Sequence, residues 1–435
     1  MLPDEPDRLV CDVAVIGAGI AGLTSSIYLR QAGLRVVCLD RQGYPHAKVG
    51  ESLDWSSPWL LNTLGLSSEA LLDARIATPK ARIAVNEPGK DVWAAAPPPI
   101  IRRSPMRFET LTLHVDREAL DRRIYERAVA LGVDFIWERV ANMDRAGDRL
   151  IACITSGGRR VEARWFIDAS GTGRFLARAL DVPFVEYGRK KVCLWTYFDC
   201  EPLDAGTTFF LDSRQPYLSW IWDIPITPQR TSVGLIVAAD SVQADRQRGL
   251  SPKEILTDAL KPYERFAPAL AAQPGFEVQA TSFQPYVTSR VCGPNWLMAG
   301  EAASMPDPLT GNGFTSGMRH ARWATRVILR AGDRPELAPA DRRWFSRHVH
   351  RLGRSFNSHI ERVIYQAPVR RGLGMYLATI VYTSFAFFMN ALYTRFDPTG
   401  PVAMAIFDGV FVAARGWVAA WIALGRVADR LRPAR

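Results

Sequence analysis

Hydrophobic residues near the N-terminus occur in short, nearly unbroken runs, and this pattern predicts strands that alternate with helices. Residues 11–16 form an apolar run that ends at a glycine, which is typical of a strand buried in a parallel sheet. A helical pattern follows over residues 20–31, and a second apolar run over residues 34–39 ends at Asp40. The start of the chain is therefore predicted to form a β-α-β unit.

The hydrophobic pattern changes twice further along the chain. A helical stretch covers residues 118–131, and an apolar strand is predicted over residues 165–167. Between residues 192 and 237, three segments rich in β-branched and aromatic residues are separated by turn residues, which predicts an antiparallel sheet. A strand-then-helix pattern returns after about residue 295, and the chain beyond about Pro339 is predicted to be helical.

Composition excludes several classes of protein. With 435 residues, 48% of them hydrophobic and 23% charged, the chain has an ordinary globular composition. Its six cysteines include no Cys-x-x-Cys pair, so neither a disulfide framework nor a zinc site is expected, and the isolated His348 and His350 do not suggest a metal. The N-terminus is acidic where a signal peptide needs basic residues, which favours a cytoplasmic protein.

The formal net charge of +10 points to anionic ligands. Basic residues are spread along the chain without interleaved aromatic residues, so nucleic-acid binding is not expected. A basic surface attracts a flavin phosphate, a halide, an acidic carrier protein or an anionic membrane.

A glycine fingerprint lies where the first predicted strand meets the first helix. Gly17 permits a tight turn, Gly19 lets the backbone approach a pyrophosphate, and Gly22 permits close packing of helix on strand. The helix N-terminus supplies N–H groups for the phosphates, and Asp40 is correctly spaced to accept hydrogen bonds from a ribose. The pattern predicts dinucleotide binding but does not by itself separate FAD from NAD.

A second motif resembles the class A flavoprotein monooxygenase superfamily and implies FAD. Residues 296–303 and the Pro- and Gly-rich residues 306–313 resemble the superfamily's second FAD motif, in which an acidic residue binds the ribityl chain and a loop starts a helix directed at the isoalloxazine. The usual aspartate is a glutamate here. No second complete Gly-x-Gly-x-x-Gly follows, so a separate nicotinamide domain is not expected. The cofactor-binding residues implied by this resemblance are Arg117, Gly300, Glu301, Pro308, Gly311, Asn312 and Gly313.

The resemblance also implies a fold and a division into domains. We expect an α/β protein with a glutathione-reductase-type Rossmann FAD-binding domain, an antiparallel β-sheet substrate domain and a helical C-terminal region. Residues 78–110 are expected to contribute to the substrate region. The expected boundaries are residues 1–185 and 276–335 for the FAD-binding domain, 186–275 for the substrate sheet and 336–435 for the C-terminal region.

Three further segments resemble flavin-dependent halogenases of the tryptophan-halogenase type. Residues 220–225 match the family's Trp-x-Trp-x-Ile-Pro signature, whose tryptophans lie beside the passage between flavin and substrate. Lys80 occurs in a context similar to that of the family's essential lysine, which hydrogen-bonds hypohalous acid or forms a haloamine. The alternative for residues 220–225 is an ordinary core strand, and the alternative for Lys80 is a surface lysine without a role. The resemblance places Lys48, Gly50, Glu51 and Ser52 near the flavin, and Trp220, Trp222 and Pro225 along the tunnel.

One loop departs from the halogenase pattern. Halogenases usually carry a serine or threonine pair before the loop glycine, where the halide sits against the backbone, and the tryptophan-specific enzymes place a glutamate before that pair. This chain has Thr310-Gly311-Asn312 and no glutamate, which is closer to flavin monooxygenases and geranylgeranyl reductases and argues against free tryptophan as substrate.

The function implied by these resemblances is that of an FAD-dependent halogenase or halogenase-like oxygenase in natural product biosynthesis. It would use reduced FAD, O2 and chloride or bromide on a lipophilic aromatic, polyene or carrier-bound substrate, with a separate NAD(P)H:flavin reductase as partner. The alternative is an FAD-dependent reductase, dehydrogenase or hydroxylating monooxygenase of a lipid-like substrate.

The C-terminal region contains a long uncharged stretch over residues 372–394 and a second apolar stretch over residues 402–424. Three interpretations stay open: helices that cover the substrate domain, peripheral membrane contact through residues 372–424, and a true membrane span. In each of them the tail is expected to be separable from the flavin site, because the FAD-matching segments end before about residue 330.

Overall fold

The protein folds around two large β-sheets, described here from a computed structural model. Strands and helices alternate in the first part of the chain, and strands dominate its middle. The structure describes residues 8–43, 49–54, 56–86, 94–96, 112–201, 206–212 and 217–365, and isolated positions between 402 and 427.

The strands are short and most of them lie in the two large sheets. In chain order they are β1 (Arg8–Ile16), β2 (Val36–Leu39), β3 (Ala77–Lys80), β4 (Arg82–Asn86), β5 (Ala94–Ala96), β6 (Thr112–Val115), β7 (Asp134–Ile136), β8 (Val140–Ala146), β9 (Arg149–Thr155), β10 (Arg160–Asp168), β11 (Phe184–Glu186), β12 (Lys191–Asp199), β13 (Gly206–Asp212), β14 (Ser219–Thr227), β15 (Arg230–Ala238), β16 (Gln279–Phe283), β17 (Tyr286–Thr288), β18 (Trp296–Met298) and β19 (Ser304–Met305).

The helices include two long ones that follow the glycine-rich turns. In chain order they are α1 (Ile20–Gln31), α2 (Ser57–Thr63), α3 (Ser68–Asp73), α4 (Arg117–Ala130), α5 (Phe175–Ala179), α6 (Ala239–Gln247), α7 (Pro252–Leu260), α8 (Ala267–Ala272), α9 (Gly313–Ala331) and α10 (Pro339–His359), followed by a π-helical turn over Ile360–Tyr365.

The first sheet has parallel strands at its centre. β1 pairs in parallel with β2 on one side and with β10 on the other, and β18 continues the parallel set beyond β10. The last four residues of β1 are buried, because helices cover such a sheet on both faces. The predicted β-α-β unit and the Rossmann-type fold are confirmed. Since parallel strands end at the same edge, the turns after Ile16, Leu39, Asp168 and Met298 meet there.

The second sheet is mostly antiparallel and runs in the order β16-β12-β15-β14-β13-β4-β5. One face packs on α6–α8, where Ile221 and Leu256 belong to one apolar cluster. The opposite face carries Trp220 and Trp222, and Met305 of β19 packs against the apolar cluster to which they belong. Successive residues of a strand point to opposite faces, so the two tryptophans share the face directed at the Rossmann-type domain.

The sheet pairings refine the expected domain boundaries. β4 and β5 join the second sheet, in agreement with the expected contribution of residues 78–110 to the substrate region. β16 lies in the segment expected to belong to the FAD-binding domain, yet it pairs with β12 of the second sheet. β17 then pairs with β11 and β19 in a small sheet of its own, β18 is the next strand of the first sheet, and the boundary at residue 276 stays a prediction.

The C-terminal region begins as predicted with a helix, α10. The uncharged stretch over residues 372–394 and most of residues 402–424 lie outside the described residues, so the membrane prediction is not tested there. Among the helices within the described ranges, none is both long enough and apolar enough to cross a bilayer.

Candidate active site

The turn after β1 requires glycine at two of its positions. Gly17 has φ 104°, and a Cβ atom there would lie 2.4 Å from the carbonyl oxygen of Ala169. A Cβ atom at Gly22 would lie 1.8 Å from the carbonyl oxygen of Gly17. Only glycine fits such contacts, so the first and third predicted glycine roles agree with the local geometry. Asp40 follows β2, and its Oδ2 accepts a hydrogen bond of 2.6 Å from the Ala18 N–H, which orders the turn.

Two helix N-termini converge at this edge of the sheet. α1 begins after Gly19, which has no side chain to cap the first N–H groups. α9 crosses the start of α1 closely, because a Cβ atom at Gly317 would lie 3.3 Å from the Cβ atom of Ala21. Gly300 is equally tight, since its Cβ atom would lie 2.8 Å from that of Ala21. Uncapped N–H groups and helix dipoles make this edge suitable for the FAD diphosphate.

The residues around Glu301 fit the remaining part of a flavin nucleotide. The Glu301 carboxylate lies beside Gly171, where a Cβ atom would be 3.8 Å from its Oε2. Buried Asp168 accepts hydrogen bonds from the N–H groups of Ser170 (3.0 Å) and Leu176 (2.7 Å), which holds that turn. A Cβ atom at Gly313, the first residue of α9, would meet no atom within 4 Å. The donor set and the open space fit an FAD molecule.

Arg117 supports residues 49 and 50, which shortly precede Ser52. Its guanidinium forms a paired interaction with Asp121, and Nη1 donates to the carbonyl oxygens of Val49 (3.1 Å) and Gly50 (3.2 Å). Gly50 has φ 113°, and a Cβ atom there would lie 2.8 Å from Arg117 Nη1. Arg117 thus contacts backbone carbonyls, Asp121 and the ring of Phe314, whose centroid lies 5.1 Å from the guanidinium carbon, and its contact with FAD stays a prediction. Lys48 lies outside the described residues.

Glu51 joins that segment to the second sheet. Its Oε2 accepts from the Gly50 N–H at 2.8 Å, and its Oε1 accepts from Tyr197 Oη at 2.9 Å and Ser232 Oγ at 3.3 Å. Burial raises the pKa of the Glu51 carboxyl above its usual value. Ser232 in turn accepts a hydrogen bond from Trp222 Nε1 at 3.0 Å. Glu51, predicted to lie near the flavin, and Trp222, predicted to line the tunnel, therefore belong to one hydrogen-bond network.

Lys80 ends β3 and directs its amine inwards. Nζ donates to Ser52 Oγ at 2.8 Å and to the Leu53 carbonyl oxygen at 3.1 Å. Desolvation of the ammonium lowers the pKa of Lys80 from 10.5 to about 8, although nearby Asp54 opposes the shift. A lysine with this pKa has an appreciable neutral fraction near neutral pH.

Two residues that the sequence analysis did not single out complete the lysine network. Thr207 Oγ1 lies 3.0 Å from Ser52 Oγ and 2.8 Å from His114 Nε2. His114 is fully buried, and desolvation together with the positive charge of Lys80 lowers its pKa well below the ordinary histidine value. A neutral His114 therefore adds no second positive charge beside the amine. The only sequence signal for it was its position beside Asp116-Arg117.

Pro225 is linked to this network through its backbone. Thr78, two residues before Lys80 on β3, donates to the Pro225 carbonyl oxygen at 2.5 Å and lies 3.4 Å from His114 Nδ1. The lysine strand and the strand of the tryptophan signature are thus fixed to each other. The predicted site residues Lys80, Ser52 and Pro225 come together through contacts that their spacing in the sequence does not reveal.

Both predicted tunnel tryptophans are buried and hydrogen-bonded. Trp220 is 3% exposed and Trp222 5% exposed, and their ring centroids are 6.0 Å apart. Trp220 Nε1 donates to Tyr365 Oη at 2.9 Å. Tyr365 Oη donates to Asp307 Oδ1 at 3.1 Å, in the loop that leads to α9. The tryptophans form a rigid wall between that loop and the second sheet.

The loop before α9 contains the departure from the halogenase pattern. Pro308 starts a 3-10 turn over Pro308–Thr310, and the Leu309 N–H is capped by Asp307 Oδ1 at 3.0 Å. Gly311 has φ 64°, and a Cβ atom there would lie 2.7 Å from the carbonyl oxygen of Ser52. Asn312 is buried at the start of α9. This close approach explains the glycine at position 311, because the side chain of a serine or threonine there would collide with the Ser52 backbone.

The tail contacts the loop before α9 as far as Tyr365, and its expected separability from the flavin site stays a prediction. Asn357 Oδ1 accepts from the Asp307 N–H at 3.1 Å, and Asn357 Nδ2 donates to the Met305 carbonyl oxygen at 3.0 Å. Together with Tyr365, these contacts make the end of α10 and the following turn part of the loop's support. The sequence analysis missed this because hydrophobic periodicity reports burial and not the partner.

Comparisons with known proteins agree with this geometry. A family model described as tryptophan halogenase matches residues 84–314, and one described as FAD dependent oxidoreductase matches residues 12–87. A 1H-pyrrole-2-carbonyl-[peptidyl-carrier protein] chlorinase of Pseudomonas fluorescens is 25% identical over 345 residues, which cover 74% of this chain and 76% of that protein. A menaquinone reductase of Mycolicibacterium smegmatis is 26% identical over 330 residues, with coverages of 74% and 77%.

Structural similarity extends over nearly the whole chain. The flavin-dependent brominase Bmp2 superposes with a TM-score of 0.72 over 93% of this chain and 98% of its own, at 22% identity. This likeness concerns the fold. The tryptophan halogenase model matches more than half of the 435 residues. The chain therefore belongs to the tryptophan halogenase family, and it is an FAD-dependent halogenase-type oxidoreductase with halide as a substrate.

Proposed function

We propose that this protein halogenates an electron-rich aromatic ring presented on a carrier protein, and that Lys80 transfers the halogen to that ring. The observation that carries the proposal is the Lys80 amine, which is held by Ser52 and Leu53 and has a pKa lowered to about 8. A surface lysine without a role would be solvated and would keep its ordinary pKa.

The residues proposed to hold FAD lie along the edge described above. Gly17, Gly19 and the N-terminus of α1 would bind the diphosphate, Asp40 the adenosine ribose and Glu301 the ribityl chain. Bound FAD, once reduced by a separate NAD(P)H:flavin reductase, supplies together with O2 and halide the hypohalous acid that the protein uses. The chain itself orients the cofactor, excludes water and positions the lysine.

Halide is proposed to bind at the backbone of Gly311–Gly313. The Gly311 N–H donates to the Pro308 carbonyl oxygen at 3.0 Å, so the N–H groups proposed for halide are those of the first turn of α9, where no side-chain hydrogen bond caps the helix at Asn312. Close approach of Gly311 to Ser52 places this loop next to the lysine segment. Backbone N–H groups can replace the serine or threonine pair of other halogenases.

The step at Lys80 needs a neutral amine. Its two hydrogen-bond donations use both N–H bonds of an –NH2 group and leave the lone pair free to attack the halogen of hypohalous acid. An N–halogen bond forms while the O–halogen bond breaks, and the departing hydroxide takes a proton from the nitrogen to give water. The haloamine transfers the halogen to the ring as an electrophile: the N–halogen bond breaks, a carbon–halogen bond forms, and the ring proton passes to the lysine nitrogen, which restores the amine of Lys80.

A carrier-bound substrate is supported by three observations. The chlorinase relative named above acts on a pyrrole-2-carbonyl group attached to a peptidyl carrier protein. The loop over residues 310–312 lacks the glutamate that precedes the halide loop in tryptophan-specific enzymes. A net charge of +10 also suits an acidic carrier protein.

The test combines reduced FAD, O2 and bromide with pyrrole-2-carboxyl thioesters, either loaded on a carrier protein or attached to pantetheine. Mass spectrometry should find brominated product with the loaded carrier, and Lys80→Met should abolish it while flavin oxidation continues. Lys261→Met, at an exposed lysine paired with Asp258, serves as the matched control and should leave the product unchanged.

Two outcomes would refute the proposal. If Lys80→Met brominates normally, the lysine has no transfer role. If the wild-type protein oxidises reduced FAD without brominating either thioester, yet a reduced menaquinone analogue accumulates, the reductase alternative is correct.

A further inference from the structure

A buried ionic cluster surrounds Asp307, at the start of the loop that precedes α9. Lys191 opens β12 and has no exposed surface; its Nζ is 3.2 Å from Asp307 Oδ2 and 3.6 Å from Glu361 Oε2. Glu361 also accepts from Tyr217 Oη at 2.8 Å. The Lys191 ammonium lies 4.3 Å from the ring centroid of Tyr365, and Tyr217 stacks on that ring at 5.0 Å.

This cluster costs free energy to bury, so a use for it is expected. Buried ion pairs add little net stability compared with apolar side chains of similar volume. The surrounding wall of Trp220, Tyr217 and Tyr365 is aromatic and would pack equally well around an apolar residue. The charges are nevertheless placed at the start of the loop that turns at Gly311.

The cluster is close enough to the loop to act on an anion there. Asp307 directly precedes the 3-10 turn, and its other carboxylate oxygen caps the Leu309 N–H. The Gly311 N–H closes the turn on the Pro308 carbonyl oxygen at 3.0 Å, so the Gly311 backbone lies within about 11 Å of that of Asp307. At such distances unit charges in a protein interior still interact appreciably, and solvent ions screen them little.

We propose that Lys191 and Glu361 set the halide affinity of the Gly311–Gly313 loop by their opposite charges, with Lys191 favouring the anion and Glu361 opposing it. Arg189 lies over the ring of Tyr217 at 5.3 Å and is paired with Asp240 at the surface. Lys191 and Glu361 are therefore positioning residues that act on the loop through Asp307. This inference rests on the proposed halide site and deepens it.

The test measures anion binding separately from turnover. Bromide is titrated into the oxidised, FAD-loaded protein, and the change in flavin absorption gives its Kd. Lys191→Met should weaken bromide binding about tenfold, Glu361→Gln should tighten it by a similar factor, and the double variant should return near wild type. Lys190→Met, at the exposed neighbour, is the control and should change nothing.

Opposite shifts are the deciding readout, because a purely structural role would weaken binding in both single variants. FAD affinity and the thermal unfolding midpoint identify variants that fold poorly, and Glu361→Gln, which should tighten bromide binding, keeps the test decisive if Lys191→Met is unstable. Equal shifts in the same direction overturn the inference. So does the absence of any bromide effect in the wild-type protein.

The outcome also separates this inference from the proposed function. Bromination of the carrier-bound ring with unchanged Kd in all variants would leave the function intact and overturn the inference. Opposite shifts without any brominated product would do the reverse.

Discussion

The neutral amine of Lys80 makes the pH dependence of halogen transfer predictable. Its ammonium loses solvation in the interior, and this lowers its pKa from 10.5 to about 8. Raising the pH through this value converts the side chain to the nucleophilic form. Halogen transfer should therefore rise with pH and level off above about pH 9, whereas transfer by a hydrogen-bonding ammonium would fall over the same range.

The size of the effect follows from the two pKa values. At pH 7 a lysine with a pKa of 8 is about 9% neutral, whereas one with a pKa of 10.5 is about 0.03% neutral, a difference of about 300-fold. Between pH 7 and pH 9 the neutral fraction of Lys80 rises about tenfold. Product formation limited by the amine should increase by the same factor.

The assay is a single turnover started by mixing reduced, FAD-loaded protein with O2, bromide and the carrier-bound ring. Brominated product is measured between pH 6.5 and 9.5, over which a rise of about 30-fold is expected. Hypobromous acid released by Lys80→Met at each pH is trapped with a scavenger, and its yield corrects for changes in earlier steps. Lys80→Arg, which stays cationic, should give no product at any pH.

A different profile would refute the reasoning. A corrected yield that falls above pH 8 would assign the ammonium, and not the amine, to the transfer. A yield that does not depend on pH would show that Lys80 is not the group whose ionisation limits the reaction.

Two further predictions concern the cofactor edge and the tail. Gly17→Ala should weaken FAD binding at least about tenfold, because its Cβ atom would lie 2.4 Å from the Ala169 carbonyl oxygen; the flavin retained after dialysis measures this. The control is Gly275→Ala, at an exposed position where a Cβ atom would meet no atom within 4 Å. Equal flavin loss in both variants would contradict the role assigned to Gly17. A chain that ends after Tyr365 should keep native flavin spectra. A chain that ends after Pro339 should not, because it lacks Asn357 and Tyr365, which form hydrogen bonds with Asp307. Native flavin spectra in the shorter chain would show that these contacts are dispensable. Sedimentation of the same chains with anionic vesicles tests the tail's predicted membrane contact, which should be lost in both truncated forms and weakened by salt.

The sequence by itself determined the parts of this protein whose requirements are local. A glycine is needed wherever backbone meets backbone, and the spacing from Gly17 to Asp40 matches one strand, one helix and a second strand. That is why the Rossmann-type domain and the extent of α1 could be predicted. The tryptophan signature was equally readable, because alternate residues of a strand share a face.

Tertiary structure alone decided what surrounds the reactive lysine. Thr207 and His114 are 93 residues apart in the chain, and Lys191 meets Asp307 and Glu361 only because β12, the loop and the turn after α10 converge. Hydrophobic periodicity shows which positions are buried, but the pKa of a buried group depends on which partners share its interior. The sequence therefore specified a nucleotide edge and a candidate lysine, and the packing of the two sheets specified the lysine's environment.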